Sequence, residues 1–366
     1  MNCARLLAGA ALWLHQQWQR RGLAAGLLLP FAGITACYVV AKKIWYTSGL
    51  GQVYRAPVPV VVVGNVYVGG TGKTPVVIAL VKQLEALGWH PGIISRGYGV
   101  RLGPQAHSGR GVLQASVVGD EPALLAEQTG MPLGVHPKRR LACQALLQAY
   151  PQVDIIVADD GLQHLALARD FEIVVQDARG LGNGWLLPAG PLREPANRLS
   201  TADLVITREN APSRLAAAPC DPEATQHQPV GLRMWLKVTG LQSLDKKLNI
   251  SVSEFTQLRS KKNTIAIAAI SEPDRFFNSL AQAELNPDQT LGLPDHHPLD
   301  ASLFAEQTDD LILLTTKDAV KCRELTDPRI WVVLVEAVFS EPDWVSELSQ
   351  RLRATQNHSH SKLPVA

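Results

Sequence analysis

The sequence has almost no net charge, no paired cysteines and no internal repeat, and each absence removes a class of function. It carries 35 Lys and Arg against 33 Asp and Glu over 366 residues, a formal charge of +2. No global field draws in nucleic acid or an acidic partner, so any anion site must be local. Cys3, Cys37, Cys143, Cys220 and Cys322 are odd in number, scattered and without CxxC spacing. That pattern supports neither a disulfide framework nor a zinc site and fits a reducing compartment. The lack of a repeat excludes a solenoid. What remains is a chain that is 46% hydrophobic and 19% charged. It is globular and long enough to bury one large core or two modest ones.

The N-terminus is apolar. Between Arg21 and Lys42 runs GLAAGLLLPFAGITACYVVA, uncharged and close to the length that crosses a bilayer core, preceded by LLAGAALWLHQQWQRR. A cleaved signal peptide has a shorter apolar core and a small-residue cleavage site, whereas this segment continues through KKIWY. Arg20 and Arg21 on one side and Lys42 and Lys43 on the other leave orientation undecided, and Gly26, Pro30 and Gly33 weaken a straight spanning helix. The reading favoured is a membrane-inserted or interfacial segment over residues 1–46, with the following domain on the cytoplasmic face of the membrane. A buried helix of the main core is the alternative.

Beyond it the pattern alternates. Val58–Val63, Gly92–Ser95, Asp154–Ala158 and Glu172–Gln176 read as strands, and Pro75–Leu87, Glu121–Glu127 and Lys138–Ala149 as helices. Continuous apolar strands separated by helices require a mostly parallel sheet covered on both faces. Asn210–Pro229, rich in Ala, Pro and Gln, reads as a linker, and MWLKV, NTIAIAAI, DDLILLTT and RIWVVLV after it as further strands. The expected fold is α/β: a P-loop NTPase-like domain over 47–228, with a second, smaller α/β domain over 229–366. The tail TQNHSHSKLPVA is polar and reads as frayed.

Between the first strand and the first helix lies GNVYVGGTGKTP. In a phosphate loop, backbone N–H groups at a helix N-terminus wrap the phosphates, a lysine reaches the outer ones and the next hydroxyl binds Mg²⁺. Gly69, Gly70, Thr71, Gly72, Lys73 and Thr74 supply those parts, although Tyr67 stands where the usual pattern has glycine. DIIVADDG supplies the matching acidic strand end, with Asp159 and Asp160 placed to hold Mg²⁺ or its water shell. Taken alone, that pair is also an ordinary solvated turn.

With SRGYG at 95–99, GDEP at 119–122, DDGLQH at 159–164, GNGWLLPAGPLRE at 182–194, PDHH at 294–297 and TTKDAVKC at 315–322, the chain resembles the tetraacyldisaccharide 4′-kinases from about Tyr54 to Val335. The resemblance implies an enzyme of lipid A biosynthesis that moves the ATP γ-phosphate to the 4′-hydroxyl of an acylated glucosamine disaccharide 1-phosphate. The partners implied are that substrate and inner-membrane lipid; no motif calls for nucleic acid or an obligate protein partner. Asp120 resembles the family's catalytic base and His296 the histidine paired with it. Alone, GDEP reads as a helix N-cap and PDHH as a surface turn. Arg193, after a Gly/Pro-rich stretch that suits a mobile lid, would bring a cation near the transferring phosphate. Arg96, Tyr98 and the cluster Lys138, Arg139 and Arg140 are weaker candidates for the acceptor's phosphate. Ala269 and Ser271 replace glycines common in the family and put the local turn in question. A membrane-associated nucleotide switch of the partitioning type also uses a GGxGKT loop, but it has no use for an Asp–His base aimed at a hydroxyl.

Overall fold

A computed structural model describes residues 17–100, 102–210, 231–260, 262–295 and 297–360. Its strands are β1 (Val60–Gly64), β2 (Pro91–Ser95), β3 (His107–Arg110), β4 (Pro132–Val135), β5 (Ile155–Asp159), β6 (Phe171–Asp177) and β7 (Leu204–Arg208), followed by β8 (Gly231–Ser243), β9 (Asn249–Ile250), β10 (Thr264–Ala268), β11 (Gln289–Gly292), β12 (Leu311–Thr315) and β13 (Ile330–Phe339). They form one thirteen-stranded sheet in the order β11-β10-β12-β13-β8-β7-β6-β1-β5-β2-β4-β3, with β9 beside β8. From β4 to β8 neighbours are parallel, as they are from β11 to β13. The two parallel blocks meet through the antiparallel pair of β8 and β13.

That pair fixes where a ligand can go. β8 pairs with β7 over Gly231–Met234 and with β13 over Met234–Ser243, while β13 pairs with β12 over Ile330–Val333 and with β8 over Trp331–Phe339. Since the connecting ribbon is antiparallel, the carboxyl ends of one block face those of the other across it. Open α/β sheets bind ligands outside their carboxyl ends, and here two such edges share one cleft.

Each block is covered on both faces, as its continuous apolar strands require. In β1, Val61 and Val63 enter the core beneath the helix Lys73–Ala86, while Val60 and Val62 enter the core with Ala142, Cys143 and Leu146 of the helix Arg139–Ala149. In β10, Ile265 and Ile267 face one core and Ala266 and Ala268 the other. The helix Trp344–His360 returns to the first block, where Val345, Leu348 and Leu352 join the core of Leu80 and Val81 and Trp89 Nε1 donates to Ser349 Oγ at 2.8 Å. The tail read as frayed from Thr355 therefore begins inside this helix. Residues 361–366 lie outside the described residues, as does nearly all of the expected linker.

At the N-terminus Leu23–Leu27 and Leu29–Thr47 are helical, with Pro30 in the first turn of the second helix, where its missing N–H costs nothing. Ala32 is the one buried residue of Leu29–Thr47, so this helix is not part of the main core. Phe31, Ile34, Tyr38, Ile44 and Trp45 are all more than half exposed. No helix among the described residues is long and apolar enough to cross a membrane.

Candidate active site

The loop after β1 is shaped by two glycines and one asparagine. Gly69 and Gly72 have φ of +100° and +91°, a region that side chains other than glycine rarely enter, and a Cβ at Gly72 would stand 2.8 Å from Arg208 Cδ. Buried Asn65 donates from Nδ2 to the carbonyls of Tyr67 at 2.6 Å and Gly69 at 3.2 Å. The helix Lys73–Ala86 follows with Gly72 as its N-cap and no side-chain cap, so its first N–H groups are left for an anion. Tyr67 is buried, bridges Leu192 and lies 4.4 Å beneath the Arg179 guanidinium. The residue that departs from the usual glycine pattern is thus a packing support for the loop.

Three expected residues, Asp159, Asp160 and Arg193, converge opposite the start of this helix and its Lys73. β5 ends on buried Asp159, and Asp160 follows with φ +48°, which turns its carboxylate back towards the loop. Lys73 Nζ lies 3.2 Å from Asp160 Oδ1, and Arg193 lies 3.3 Å from Asp160 Oδ2. Burial pushes the Asp160 carboxyl up, but Lys73 and Arg193 outweigh it and hold the pKa at about 2. Burial, with repulsion from Glu121 and Asp160, raises Asp159 instead, to about 6. Ser95 Oγ donates to Asp159 Oδ2 at 3.0 Å, and buried Arg139 donates to the Asp159 carbonyl at 2.8 Å. His164 is lowered to about 4 by burial and by the neighbouring charges of Arg139, Lys42 and Arg96.

The cleft in front of these groups encloses about 1180 Å³, with Gly69, Gly70, Thr71, Gly72, Lys73 and Thr74 along one wall and Leu236, Thr239, Val335 and Ala337 of the ribbon along another. The second block contributes Ser271, Asp295 and Lys317. Asp120 is the half-buried first residue of the helix Asp120–Thr129, entered through Gly119 at φ +96°, and Glu121 beside it lines the cleft. His296 lies outside the described residues, but its neighbour Asp295 accepts from Ser271 Oγ at 2.7 Å and sits 3.5 Å from Lys317 Nζ. Lys317 also reaches Glu121 Oε1 at 3.1 Å, so the GDEP and PDHH stretches share one cation across the cleft. Neither Ala269 nor Ser271 has a positive φ, so the backbone of their turn needs no glycine at either position.

Sequence reasoning left several residues of this site unassigned. Arg139 stood among weak cationic candidates, whereas its guanidinium holds the carbonyls of both Asp159 and Asp160. Gln163 donates to the Asn65 carbonyl and to Glu194, and Lys317 spans the two blocks. The only signal for either was position inside DDGLQH or TTKDAVKC, because a polar residue's long-range partner leaves no trace in local periodicity.

An uncapped, glycine-built helix start opposite an acidic strand end, on a parallel sheet, defines a P-loop enzyme acting on a nucleoside polyphosphate. The comparisons carry this further. A family model described as tetraacyldisaccharide-1-P 4'-kinase matches residues 24–353, and the chain belongs to that family. A tetraacyldisaccharide 4'-kinase of Bordetella parapertussis is 51% identical, covering 97% of this chain and 100% of that protein. One of Dechloromonas aromatica is 42% identical over 94% of this chain and 99% of its own length. Among solved structures, LpxK from Aquifex aeolicus in complex with ATP superposes with a TM-score of 0.74 at 23% identity, covering 90% of this chain and 99% of that one. At that identity the likeness supports the α/β fold with its large curled sheet.

Proposed function

We propose that the chain transfers the γ-phosphate of ATP to the 4′-hydroxyl of a tetraacyldisaccharide 1-phosphate, the product entering lipid A synthesis. The observation that carries the nucleotide half is the uncapped helix start at Lys73, whose Nζ lies 3.2 Å from Asp160 at the floor of the cleft. Family membership carries the acceptor half. The loop N–H groups hold the phosphates, and Lys73, with Arg193 behind Asp160, spreads cationic charge where the transferring group gains negative charge. Asp120 accepts the proton of the 4′-hydroxyl, and His296 orients it across the closing cleft between the two lobes. The donor set of Thr74, Asp159 and Asp160 is oxygen only. It fits Mg²⁺, which binds through one or two carboxylates plus phosphate oxygens, although no cluster of three or more His, Cys, Asp or Glu side chains able to hold a metal occurs among the described residues. When bound, Mg²⁺ would neutralise phosphate charge.

We place the enzyme on the cytoplasmic face of the inner membrane, with the exposed apolar side of Leu29–Thr47 seated in lipid, the leaflet that would carry its acylated acceptor. Replacing two exposed side chains, Phe31→Asp and Ile34→Asp, should abolish vesicle binding and leave ATP affinity intact. Vesicle binding equal to wild type would rule the helix out as the anchor.

The decisive assay incubates the chain with γ-labelled ATP, Mg²⁺ and purified tetraacyldisaccharide 1-phosphate. Label in the lipid supports the kinase; label released only as inorganic phosphate would return the chain to the nucleotide-switch alternative, which the family does not favour.

A further inference from the structure

Beside the phosphate loop lies a ring of four charges that no step of the transfer uses. Asp177 ends β6 and Arg179 follows it; Glu272 and Arg275 come from the opposite block, at the start of the helix Pro273–Gln282. Arg179 Nε lies 3.0 Å from both Asp177 oxygens, and its NH2 lies 2.6 Å from Oδ2. The same guanidinium pairs with Glu272, Glu272 pairs with Arg275, and Arg275 NH2 returns to Asp177 Oδ2 at 2.8 Å. The signs alternate around the ring and sum to zero. Burial pushes the Asp177 carboxyl up, but Arg179 and Arg275 outweigh it and hold the pKa below the usual range.

Two contacts leave the ring. Arg179 NH2 donates to the Gly70 carbonyl at 3.0 Å, while its guanidinium covers Tyr67, whose hydroxyl accepts from Gln19 Nε2 at 3.0 Å. The Gly70 carbonyl and the Thr71 N–H belong to one planar trans peptide and point to opposite sides of it. Holding the carbonyl therefore fixes the direction of that N–H.

We infer that Arg179 is a positioning residue that sets the Gly70–Thr71 peptide of the phosphate loop and, through Glu272 and Arg275, ties that setting to closure of the two blocks. The inference rests on the nucleotide reading of the loop. With the blocks apart, Arg179 keeps Asp177 but loses Glu272, and Asp177 loses Arg275, so the grip on Gly70 loses half of its support. Coupling of this kind is reciprocal: a nucleotide that favours the set loop also favours closure. Serving two carboxylates and a carbonyl at once needs a planar fork of donors, which lysine lacks.

The test measures the affinity of the full chain for a fluorescent ATP analogue, without acceptor lipid, beside the melting temperature. Arg179→Lys should weaken binding about tenfold. The swap of Glu272→Arg with Arg275→Glu keeps the net charge and the neighbouring pair on its own helix but sets like charges against Arg179 and Asp177. It should weaken binding about fivefold in a chain that still melts cooperatively. All three changes together should be clearly less impaired than the product of the two effects, since the swap acts on the loop mainly through Arg179. If the swap does not fold, Glu272→Gln is read the same way. An unchanged affinity in the folded swap or in Glu272→Gln, or effects that multiply, overturns the inference. A wild-type chain that binds no analogue overturns the nucleotide reading beneath it, an outcome distinct from wild-type binding with an indifferent swap.

Discussion

The sheet makes two turns from a strand into a helix on the two sides of the cleft, and they treat the helix N-terminus in opposite ways. After β1, Gly72 caps the helix Lys73–Ala86 with no side chain, and Lys73 and Thr74 line open space. After β12, Thr315 caps the helix Thr316–Ala319, accepting from the Asp318 N–H at 3.0 Å and donating to Asp318 Oδ2 at 2.7 Å. Asp318 is fully buried, and its carboxylate also takes the Ala269 N–H at 3.1 Å and Lys321 Nζ at 3.0 Å. A backbone N–H, a threonine hydroxyl and a lysine thus surround an anion that the second turn carries within itself. The first turn presents the same donor types with no carboxylate of its own, and its lysine meets Asp160 from the end of β5 instead. What separates a binding turn from a structural one here is which molecule supplies the negative charge.

The largest expected effect concerns the pair that spans both edges. If Asp120 from the first block and His296 from the second act as one unit, each substitution to alanine should lower kcat by about 10²–10⁴-fold, with a smaller change in ATP binding. The double variant should be clearly less impaired than the product of the two. Multiplying effects would mean that the two edges act separately.

Next, Lys73→Ala removes the cation of the open turn. Turnover should fall by about 10²–10³-fold, with only a small fall in melting temperature, because Asp160 keeps Arg193 as a partner and the turn's own fold does not use a bound anion. A variant that loses stability in proportion to its turnover would erase the distinction between the turns. Asp318→Ala is the converse, leaving the buried Ala269 N–H without its acceptor and half-buried Lys321 with the Ala269 carbonyl alone, at a cost of about 3–5 kcal/mol. Denaturant midpoints measure it, and normal stability with lost activity would show that the second turn is a site as well.

Legibility in the sequence follows the same division. β1, β2, β5 and β6 and their helices announce themselves through apolar runs that must be buried on both faces. The short edge strands β3 and β11 escape because their side chains are largely exposed and carry no such pattern. The glycine loop and the Asp159–Asp160 pair are local, so their spacing alone reveals them. Arg179, Lys317 and the inward turn of Asp318 are polar residues whose partners lie up to 196 positions away, as Lys317 to Glu121 does, and only the folded sheet brings them together. For Leu29–Thr47 the favoured reading, a segment outside the main core, agrees with its exposure, although apolarity by itself gives one signal for a core helix and for an exposed one.

The smallest effect separates the turns by pH. Asp160 has its folded pKa held at about 2, against an ordinary value of 3.8, because Lys73 and Arg193 outweigh the burial that would raise it. A carboxyl whose pKa is depressed on folding favours the folded state while it is ionised. Its contribution is therefore present above pH 3.8 and lost as pH falls towards 2. Lys73 and Arg193 lie partly open to water, so screening keeps the contribution modest. Melting temperatures taken from pH 5 down to pH 2 should fall less steeply in Asp160→Asn than in wild type, with the two curves converging at the acid end. Nucleotide bound at the loop competes for the same Lys73, so saturating ATP should reduce the difference between the curves. If Asp160→Asn leaves the acid limb unchanged, the Lys73–Asp160 contact contributes nothing to holding the site, and the open turn is kept in shape by Asn65 and Arg179 alone.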